Sequence, residues 1–197
     1  MMFYEVAKNN HGLPLDPFYA LVGPRPIGWI STLSKNGTAN LAPYSFYNAF
    51  AHDPNYVAFG SGGFKNTIQN IADTGEFAVN TVTFDLREAM NITSTEGAGD
   101  EFVLARLEKA ACQLIAPPRV AASPVCLECR HFQTVELPNE KGEVNDWLVI
   151  GKVVGIHIDE RFIENGRVNT AAMKPIARLG YAEYATVETA WKMRRPS

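Results

Sequence analysis

One short segment, residues 61–67, combines residue types that together bind anions. Ser61 and two glycines precede Lys65, Asn66 and Thr67, which stand directly before an apolar pattern with helical spacing. A phosphate group is bound by backbone N–H groups at a helix N-terminus together with a hydroxyl donor and a cation, and this segment supplies all three within one turn. From spacing alone, however, a glycine turn before an ordinary capped helix explains the pattern better.

A second segment, residues 40–45, reads Asn-Leu-Ala-Pro-Tyr-Ser. Its small, hydroxylated and aromatic side chains have little use in a purely structural strand. A planar ring needs flat apolar neighbours and hydrogen-bonding backbone edges, which a proline-interrupted aromatic strand can supply. The two segments together suggest a phosphorylated aromatic cofactor.

The second segment is the return strand of a predicted hairpin over residues 24–48. Ile27 and Trp29 fall on one face of the outgoing strand, and Ile30 and Thr32 fall on the other, which indicates a buried strand. Residues 35–38, Lys-Asn-Gly-Thr, tolerate the left-handed backbone of a tight turn. The hairpin thus places the return strand beside a buried partner.

Further strands are predicted at residues 56–61, 76–82, 125–137 and 146–159. Residues 64–75 have helical spacing, with Asn66 or Thr67 as the start cap and Gly75 as the end. Other predictions are a short helix opened by a capping box at 85–88, a polar loop at 94–101, a helical turn capped by Asp100, an extended surface loop at 116–124, and short helical turns near 161–164 and 170–174. Six or more strands with few short helices indicate a mainly β (α+β) fold, a β-barrel with inserted helices.

Composition places the 197-residue chain among ordinary globular proteins, with 46% hydrophobic and 20% charged residues. A net charge of −3 gives no sign of a nucleic-acid or membrane surface.

Glu5 and Lys8 interrupt any apolar N-terminal core, so neither a signal peptide nor a membrane span is expected, and a cytoplasmic location is the default. Without a repeat or linker, we expect one domain over residues 1–197, with a core at about 20–185 and a C-terminal tail at 186–197.

Cysteine and histidine spacing predicts no metal site. Cys126 and Cys129 form a CxxC pattern, but in a strand residues three apart point to opposite faces, so we expect packed free thiols. The histidines, none of them at ligand spacing from another, are His11, His52, His131 and His157. Serine hydrolase chemistry is excluded, because the sequence has no nucleophile-elbow pattern.

Eight segments, in order, resemble the flavin reductase-like proteins with an FMN-binding split barrel. They are RPIGWIST, NLAPYSFYNAF, DPNYVAFGS, FKNTIQNI, TGEFAVN, LECRHF, LVIGKVVGIHID and PIARLG, and they run from about residue 20 to about 185. The resemblance implies a Greek-key split β-barrel, usually a homodimer, with FMN in a groove near the subunit interface. It also implies reduction of flavin by NADH or NADPH, often to supply a partner monooxygenase.

The family pattern also implies the residues that bind the cofactor. Those expected along the isoalloxazine and ribityl portions are Trp29, Ile30, Ser31, Thr32, Asn40, Ala42, Pro43, Tyr44 and Ser45. Those expected at the phosphate are Ser61, Lys65, Asn66 and Thr67, with Arg178 adding charge near the flavin. The chain departs from the pattern at Asn66, where the family usually has Asp, and at Tyr181, where the second residue of a Gly-Gly pair usually stands.

The resemblance leaves two functions open. In the first, the protein is an NAD(P)H-dependent flavin oxidoreductase, and no side chain is needed as a catalytic acid or base because the cofactor performs the redox chemistry. In the second, the protein is an FMN-binding carrier or sensor without reductase activity. A different ligand in the same barrel is a third possibility, because a fold does not fix a function.

Overall fold

A computed structural model describes residues 1–95, 97 and 99–196. The strands are β1 (Arg25–Pro26), β2 (Gly28–Leu33), β3 (Ala39–Tyr44), β4 (Tyr47–His52), β5 (Asn55–Gly62), β6 (Glu76–Thr81), β7 (Lys109–Ala110), β8 (Arg119–Val120), β9 (Val125–Pro138), β10 (Val144–Ile158), β11 (Ile163–Glu164), β12 (Arg167–Val168), β13 (Ile176–Arg178) and β14 (Tyr184–Thr186). The α-helices are α1 (Phe18–Leu21), α2 (Asn66–Thr74), α3 (Arg87–Ile92) and α4 (Glu101–Leu104). Short 3₁₀ turns cover Val6–Lys8, Phe84–Leu86, Glu160–Phe162 and Ala171–Met173.

Seven antiparallel strands form the main sheet, in the order β3-β2-β6-β9-β10-β5-β4. The sheet curls until β3 contacts β5, where the rings of Tyr44 and Phe59 lie 4.7 Å apart between centroids. The small sheet β1-β13-β14 lies outside this seven-strand order. A barrel of hairpin-connected strands with few short helices confirms the predicted mainly β fold.

The predicted hairpin is confirmed as β2 and β3. Trp29 pairs with Pro43 and Ile30 pairs with Ala42 across it. The turn closes through a 2.9 Å hydrogen bond from the Ser34 N–H to the Thr38 carbonyl, and Gly37 supplies the left-handed backbone, at φ 85°. β3 is an edge strand of the main sheet, which is why a proline is tolerated within it.

Side-chain alternation along β2 divides the apolar residues between two cores. Ile30 packs inside the barrel with Phe59 and Phe77, while Trp29 packs on the opposite face with Leu41. Both β2 residues are completely buried. Because successive strand residues point to opposite faces, one strand anchors both cores and holds its position firmly.

The two long strands predicted at 125–137 and 146–159 are confirmed as β9 and β10, which pair as a long hairpin in the barrel wall. Cys126 and Cys129 point to opposite sides of β9, since Cys126 packs with Ala78 and Cys129 packs in the barrel core. Gly151 on β10 lies against the Phe77 ring, which leaves no room for a side chain at that position. The prediction of packed free thiols is confirmed for this pair.

Two helix-start predictions are wrong. In α2 the N-cap residue is Lys65 rather than Asn66 or Thr67, and Lys65 makes no capping hydrogen bond. Thr67 points instead towards β3, where its hydroxyl accepts a hydrogen bond from Asn40. The Asp85 capping box is also not formed, because the 3₁₀ turn at Phe84–Leu86 precedes α3 and shifts the start of that helix.

The helix ends are better predicted. Gly75 ends α2 at φ 73°, where a left-handed backbone is required. The Asp100 carboxylate caps α4 by accepting hydrogen bonds from the Phe102 and Val103 N–H groups. The polar-loop prediction for 94–101 includes Glu96 and Ala98, which lie outside the described residues, and so does Ser197 in the predicted tail.

The proline-rich segment 116–124 is not the surface loop that the sequence predicts. Val120 is completely buried, and its N–H donates to Asn80 Oδ1 at 2.9 Å. Ser31 Oγ donates to the Pro118 carbonyl at 2.6 Å. The segment forms only the short strand β8, but it packs inward because buried side chains of β2 and β6 satisfy its backbone groups.

No described helix has the length and apolar character that would let it cross a membrane.

Candidate functional site

A cleft of about 410 Å³ opens between β3, the start of α2 and the chain after α3. The cleft brings together seven of the predicted site residues: Asn40, Ala42, Pro43, Tyr44, Lys65, Asn66 and Thr67. Its remaining described walls are Thr93, Ser94, Thr95, Gly97 and Glu101. The two segments that stood out in the sequence thus face one space.

The N-terminus of α2 lies at this cleft. Among the described residues, no side chain accepts a hydrogen bond from the N–H groups of Asn66, Thr67 or Ile68, the first turn of the helix. Unpaired N–H groups and the helix dipole give this end a partial positive charge, to which the Lys65 ammonium adds a full one. The end of the helix is therefore suited to an anion.

Two buried hydrogen bonds fix α2 on the hairpin. Asn40 Nδ2 donates to Thr67 Oγ1 at 3.0 Å, and Asn70 Nδ2 donates to Thr32 Oγ1 at 3.0 Å. All four side chains are at least nine-tenths buried. Satisfied polar pairs in such surroundings hold a single geometry, so the helix end is positioned before any ligand arrives.

Tyr44 presents a buried hydroxyl with no hydrogen-bond partner among the described residues. The side chain is 8% exposed and lines the cleft. Burial raises the pKa of Tyr44, and the nearby hydroxyls of Thr67 and Ser61 and the Lys65 charge oppose that rise. A buried hydroxyl without a partner costs about 1–3 kcal/mol, so its retention beside a positive helix end fits a bound acceptor.

Glu101, at the start of α4, also faces the cleft and was missed in the sequence. Its carboxylate accepts a 2.9 Å hydrogen bond from the Leu41 N–H, which ties α4 to β3. Burial raises the pKa of Glu101, and the hydrogen bond from the Leu41 N–H opposes that rise.

The outgoing strand contributes support rather than cleft surface in this chain. Trp29, Ile30, Ser31 and Thr32 are all completely buried and do not line the cleft. Trp29 Nε1 donates to Thr93 Oγ1 at 2.8 Å and so holds the chain after α3. The contact expected between these four residues and the isoalloxazine and ribityl portions of FMN stays a prediction.

Ser61 lies at the end of β5 and is 1% exposed. Its hydroxyl donates to the Gly63 carbonyl at 3.0 Å, inside the glycine turn before α2. In this geometry Ser61 shapes the turn that leads to Lys65. A direct contact between Ser61 and a phosphate stays a prediction.

Ser45 and Arg178 line a smaller cavity of about 180 Å³, and Pro43 belongs to both this cavity and the main cleft. Arg178 donates to the Tyr184 hydroxyl and to the Tyr181 carbonyl. Tyr181 has φ 55°, the left-handed backbone that a glycine adopts more easily. Tyr181 thus stands, in this chain, on a backbone conformation that a glycine would adopt more easily.

The chain after α3 was missed as a wall of the site. Thr93 is 2% exposed and donates to the Met90 carbonyl while accepting from Trp29. Ser94 and Thr95 follow it at the surface of the cleft. The only signal was the run of three hydroxyl residues, which in a sequence is indistinguishable from an ordinary loop.

Comparison with known proteins agrees with this geometry. Residues 23–176 match the flavin reductase like domain. An uncharacterized protein of Bacillus subtilis is 32% identical over 182 residues, which cover 88% of this chain and 89% of that protein.

Solved structures show the same architecture. Nitrilotriacetate monooxygenase component B from Bacillus cereus has a TM-score of 0.87 at 27% identity, with 98% of each chain covered. A split-barrel protein from Shewanella frigidimarina has a TM-score of 0.85 at 20% identity, with 100% of each chain covered. The split barrel is thereby confirmed, and the chain belongs to the family of flavin reductase-like domains.

Proposed function

We propose that this protein is an FMN-binding oxidoreductase that takes electrons from NADH or NADPH and passes them to flavin or to a partner protein. The observation that carries the proposal is the cleft of a flavin reductase-like domain. There Lys65, the N-terminus of α2 and the Tyr44 hydroxyl, which no described residue hydrogen-bonds, converge. These groups match a phosphorylated cofactor in charge and in hydrogen bonding.

The phosphate of FMN fits the donor set at the helix end. Lys65 and the first-turn N–H groups of α2 would bind it, and Thr67 would stand beside them in a position fixed by Asn40. The Tyr44 hydroxyl would gain an acceptor that the described part of the chain does not provide. Charge-assisted hydrogen bonds of this type contribute about 1.5–3 kcal/mol each.

The ring of FMN would lie along β3, towards Ala42, Pro43 and Ser45. Because β3 is an edge strand, its outer backbone groups are not used by the main sheet. One of them, the Leu41 N–H, is taken by Glu101, and this leaves the segment after it for a ligand. Arg178 would add positive charge at the far end of this surface.

When bound, FMN supplies hydride acceptance and onward electron transfer. The protein's part is to bind the cofactor, to orient it along β3 and to hold its phosphate at α2. No side chain of the cleft is assigned as a catalytic acid or base.

The same proposal includes a single domain over residues 1–197 and a homodimer. An apolar groove of about 600 Å³ beside β4 is lined by Phe18, Phe46 and Phe50, each of which is at least 43% exposed. Exposed apolar surface of this kind is typical of an interface between subunits.

We also propose a cytoplasmic location, because the three cysteines are free thiols, as a reducing compartment keeps them.

A monooxygenase is the proposed partner. The Bacillus cereus structure that this chain resembles is component B of a monooxygenase. By analogy, reduced flavin made by this protein would be used by a separate oxygenase.

The test measures binding and reduction separately. We expect FMN to bind more tightly than riboflavin by about tenfold to a hundredfold, because only FMN carries the phosphate. We then expect NADH or NADPH to bleach the visible absorbance of the bound flavin without oxygen. Equal affinity for FMN and riboflavin would contradict the phosphate site, whereas tight FMN binding with no bleaching by either nicotinamide would favour the carrier function.

A further inference from the structure

A second group of reactive side chains lies outside the cleft and is formed by Cys112, Glu128 and His157. One sulfur, one carboxylate oxygen and one imidazole nitrogen of these residues all lie within 4.8 Å of one another. Cys112 follows β7, Glu128 lies on β9, and His157 lies on β10. We name these three residues the ligand cluster.

The β9–β10 hairpin places two members of the ligand cluster on one face. His157 pairs with Cys126 across the hairpin, and Glu128 is two residues after Cys126. Because residues two apart share a strand face, Cys126, Glu128 and His157 point to the same side. The chain at 112–115 then covers this face and brings the Cys112 sulfur to it.

Access and burial suit a bound ion. Glu128 has 1% of its side chain exposed, whereas His157 has 23%, and Cys112 is half-buried. A cavity of about 470 Å³ adjoins the cluster and includes His157, Arg119 and Asp159 in its walls. A small ion can therefore approach the His157 imidazole from solvent, beside the buried carboxylate of Glu128.

Glu128 is already oriented by its neighbours. The N–H groups of Gln113 and Leu114 each donate to one of its oxygens at 2.7 Å, and His157 Nε2 lies 2.5 Å from Oε1. A carboxylate offers about four lone-pair positions, so about one stays open, and a second opens if His157 turns to a metal. Backbone hydrogen bonds of this kind fix a metal ligand in place.

We propose that Cys112, Glu128 and His157 bind a zinc ion. Thiolate, imidazole and carboxylate are the three ligand types that zinc takes in proteins, and a tetrahedral ion needs one more. On binding, the Cys112 thiol loses its proton to solvent, and His157 exchanges its hydrogen bond with Glu128 for a bond to the metal. Cys126, beside Cys112, or a water molecule completes the coordination.

The rival explanation is that Glu128 and His157 form only a structural pair that holds the chain at 112–115. A second rival is that Cys112 and Cys126 are a thiol pair oxidised by peroxide to a disulfide. Both rivals use the same residues, but neither needs a metal. The test must therefore measure the metal itself.

The experiment uses the full chain, freed of metal with a chelator and then titrated with zinc chloride against a chromogenic chelator. We expect one zinc per chain for the unchanged protein. Cys112→Ser and His157→Gln should each lower zinc affinity by more than about a hundredfold, since even outer-shell partners contribute 10–100-fold. The matched controls Cys129→Ala and His131→Gln, on β9 but outside the ligand cluster, should leave the affinity unchanged.

Cobalt(II) gives a second readout, because a thiolate ligand produces a charge-transfer absorption that Cys112→Ser should abolish. Zinc should raise the melting temperature of the unchanged protein and of His131→Gln, but not that of Cys112→Ser. Melting temperatures measured without zinc show that each variant is folded.

Equal zinc affinity for Cys112→Ser, His157→Gln and the controls would overturn the proposal. So would absence of stoichiometric zinc in the unchanged protein, whether or not peroxide then joins Cys112 to Cys126. None of these readouts involves flavin, so failure here leaves the proposed FMN function intact, and the reverse also holds.

Discussion

The cleft and the ligand cluster differ in whether their buried polar groups have hydrogen-bond partners. Among the described residues of the cleft, the Tyr44 hydroxyl has no hydrogen-bond partner, and no side chain caps the first turn of α2. In the ligand cluster, Glu128 accepts hydrogen bonds from two backbone N–H groups and from His157. The cleft therefore offers hydrogen-bonding groups that a ligand would satisfy. The side chains of the ligand cluster, by contrast, stabilise the protein without any ligand.

The largest effect expected from this comparison is the loss of stability in Glu128→Gln. A glutamine can accept one of the two backbone hydrogen bonds, but its NH₂ group then faces the other N–H donor. We expect the free energy of unfolding to fall by about 3 kcal/mol at neutral pH, as for a broken buried pair. Chemical denaturation of both proteins measures the difference.

The matched control is Glu76→Gln, because within the described part of the chain Glu76 accepts a single backbone hydrogen bond, from the Ala116 N–H at 2.9 Å. We expect this change to cost about 1 kcal/mol. If the two variants lose equal stability, Glu128 is not the anchor that the structure indicates.

The Glu128→Gln variant also tests how the stability of the protein depends on pH. Burial alone would raise the pKa of Glu128, but hydrogen bonds from Gln113, His157 and Leu114 outweigh it, and the pKa is lowered from its ordinary value of 4.5. A carboxylate whose pKa is lowered by folding stabilises the folded protein at pH values above its ordinary pKa. This stabilisation is lost as the pH falls through the lowered pKa of the folded state. The difference in unfolding free energy between the unchanged protein and Glu128→Gln should therefore narrow below about pH 4.5. A difference that stays constant with pH would contradict this assignment.

A second prediction concerns the cation of the cleft. Lys65→Ala should weaken FMN binding by about tenfold to a hundredfold, since a charge-assisted contact contributes about 1.5–3 kcal/mol, and riboflavin binding should change little. Quenching of flavin fluorescence gives both affinities. Lys35→Ala is the control, because Lys35 forms a surface ion pair with Asp73 away from the cleft. An equal loss for both lysines, or for FMN and riboflavin alike, would exclude Lys65 from the phosphate site.

The smallest change is expected for Tyr44→Phe, and it is the most specific test because stability and FMN affinity should change in opposite directions. Removing a buried hydroxyl without a partner should raise the free energy of unfolding of the flavin-free protein by about 1 kcal/mol. The same change should weaken FMN binding by about tenfold, because the phosphate loses a donor. Thermal unfolding without flavin and FMN titration give the two numbers. Changes of equal sign in stability and affinity would show that the hydroxyl already has a partner in the protein.

Much of the fold follows from local patterns. Alternation predicted Trp29 and Ile30 on opposite faces of a buried strand, and the two residues indeed lie in separate cores. Gly37 and Gly75 marked a turn and a helix end because each requires a left-handed backbone. The start of α2 was misplaced, since Thr67 bonds to Asn40 on a neighbouring strand, a partner that no local pattern contains.

The sequence by itself determined the segments that face the cleft, because 40–44 and 65–67 are short and continuous, and their residue types are informative when read together. Only the tertiary structure decided that Glu101 and Thr93 complete the cleft, and that Cys112, Glu128 and His157 meet. Glu128 and His157 are 29 positions apart and are joined by the register of one hairpin. Spacing along a chain predicts a site only when its members share one element, whereas strand pairing brings distant residues together through contacts that the sequence does not display.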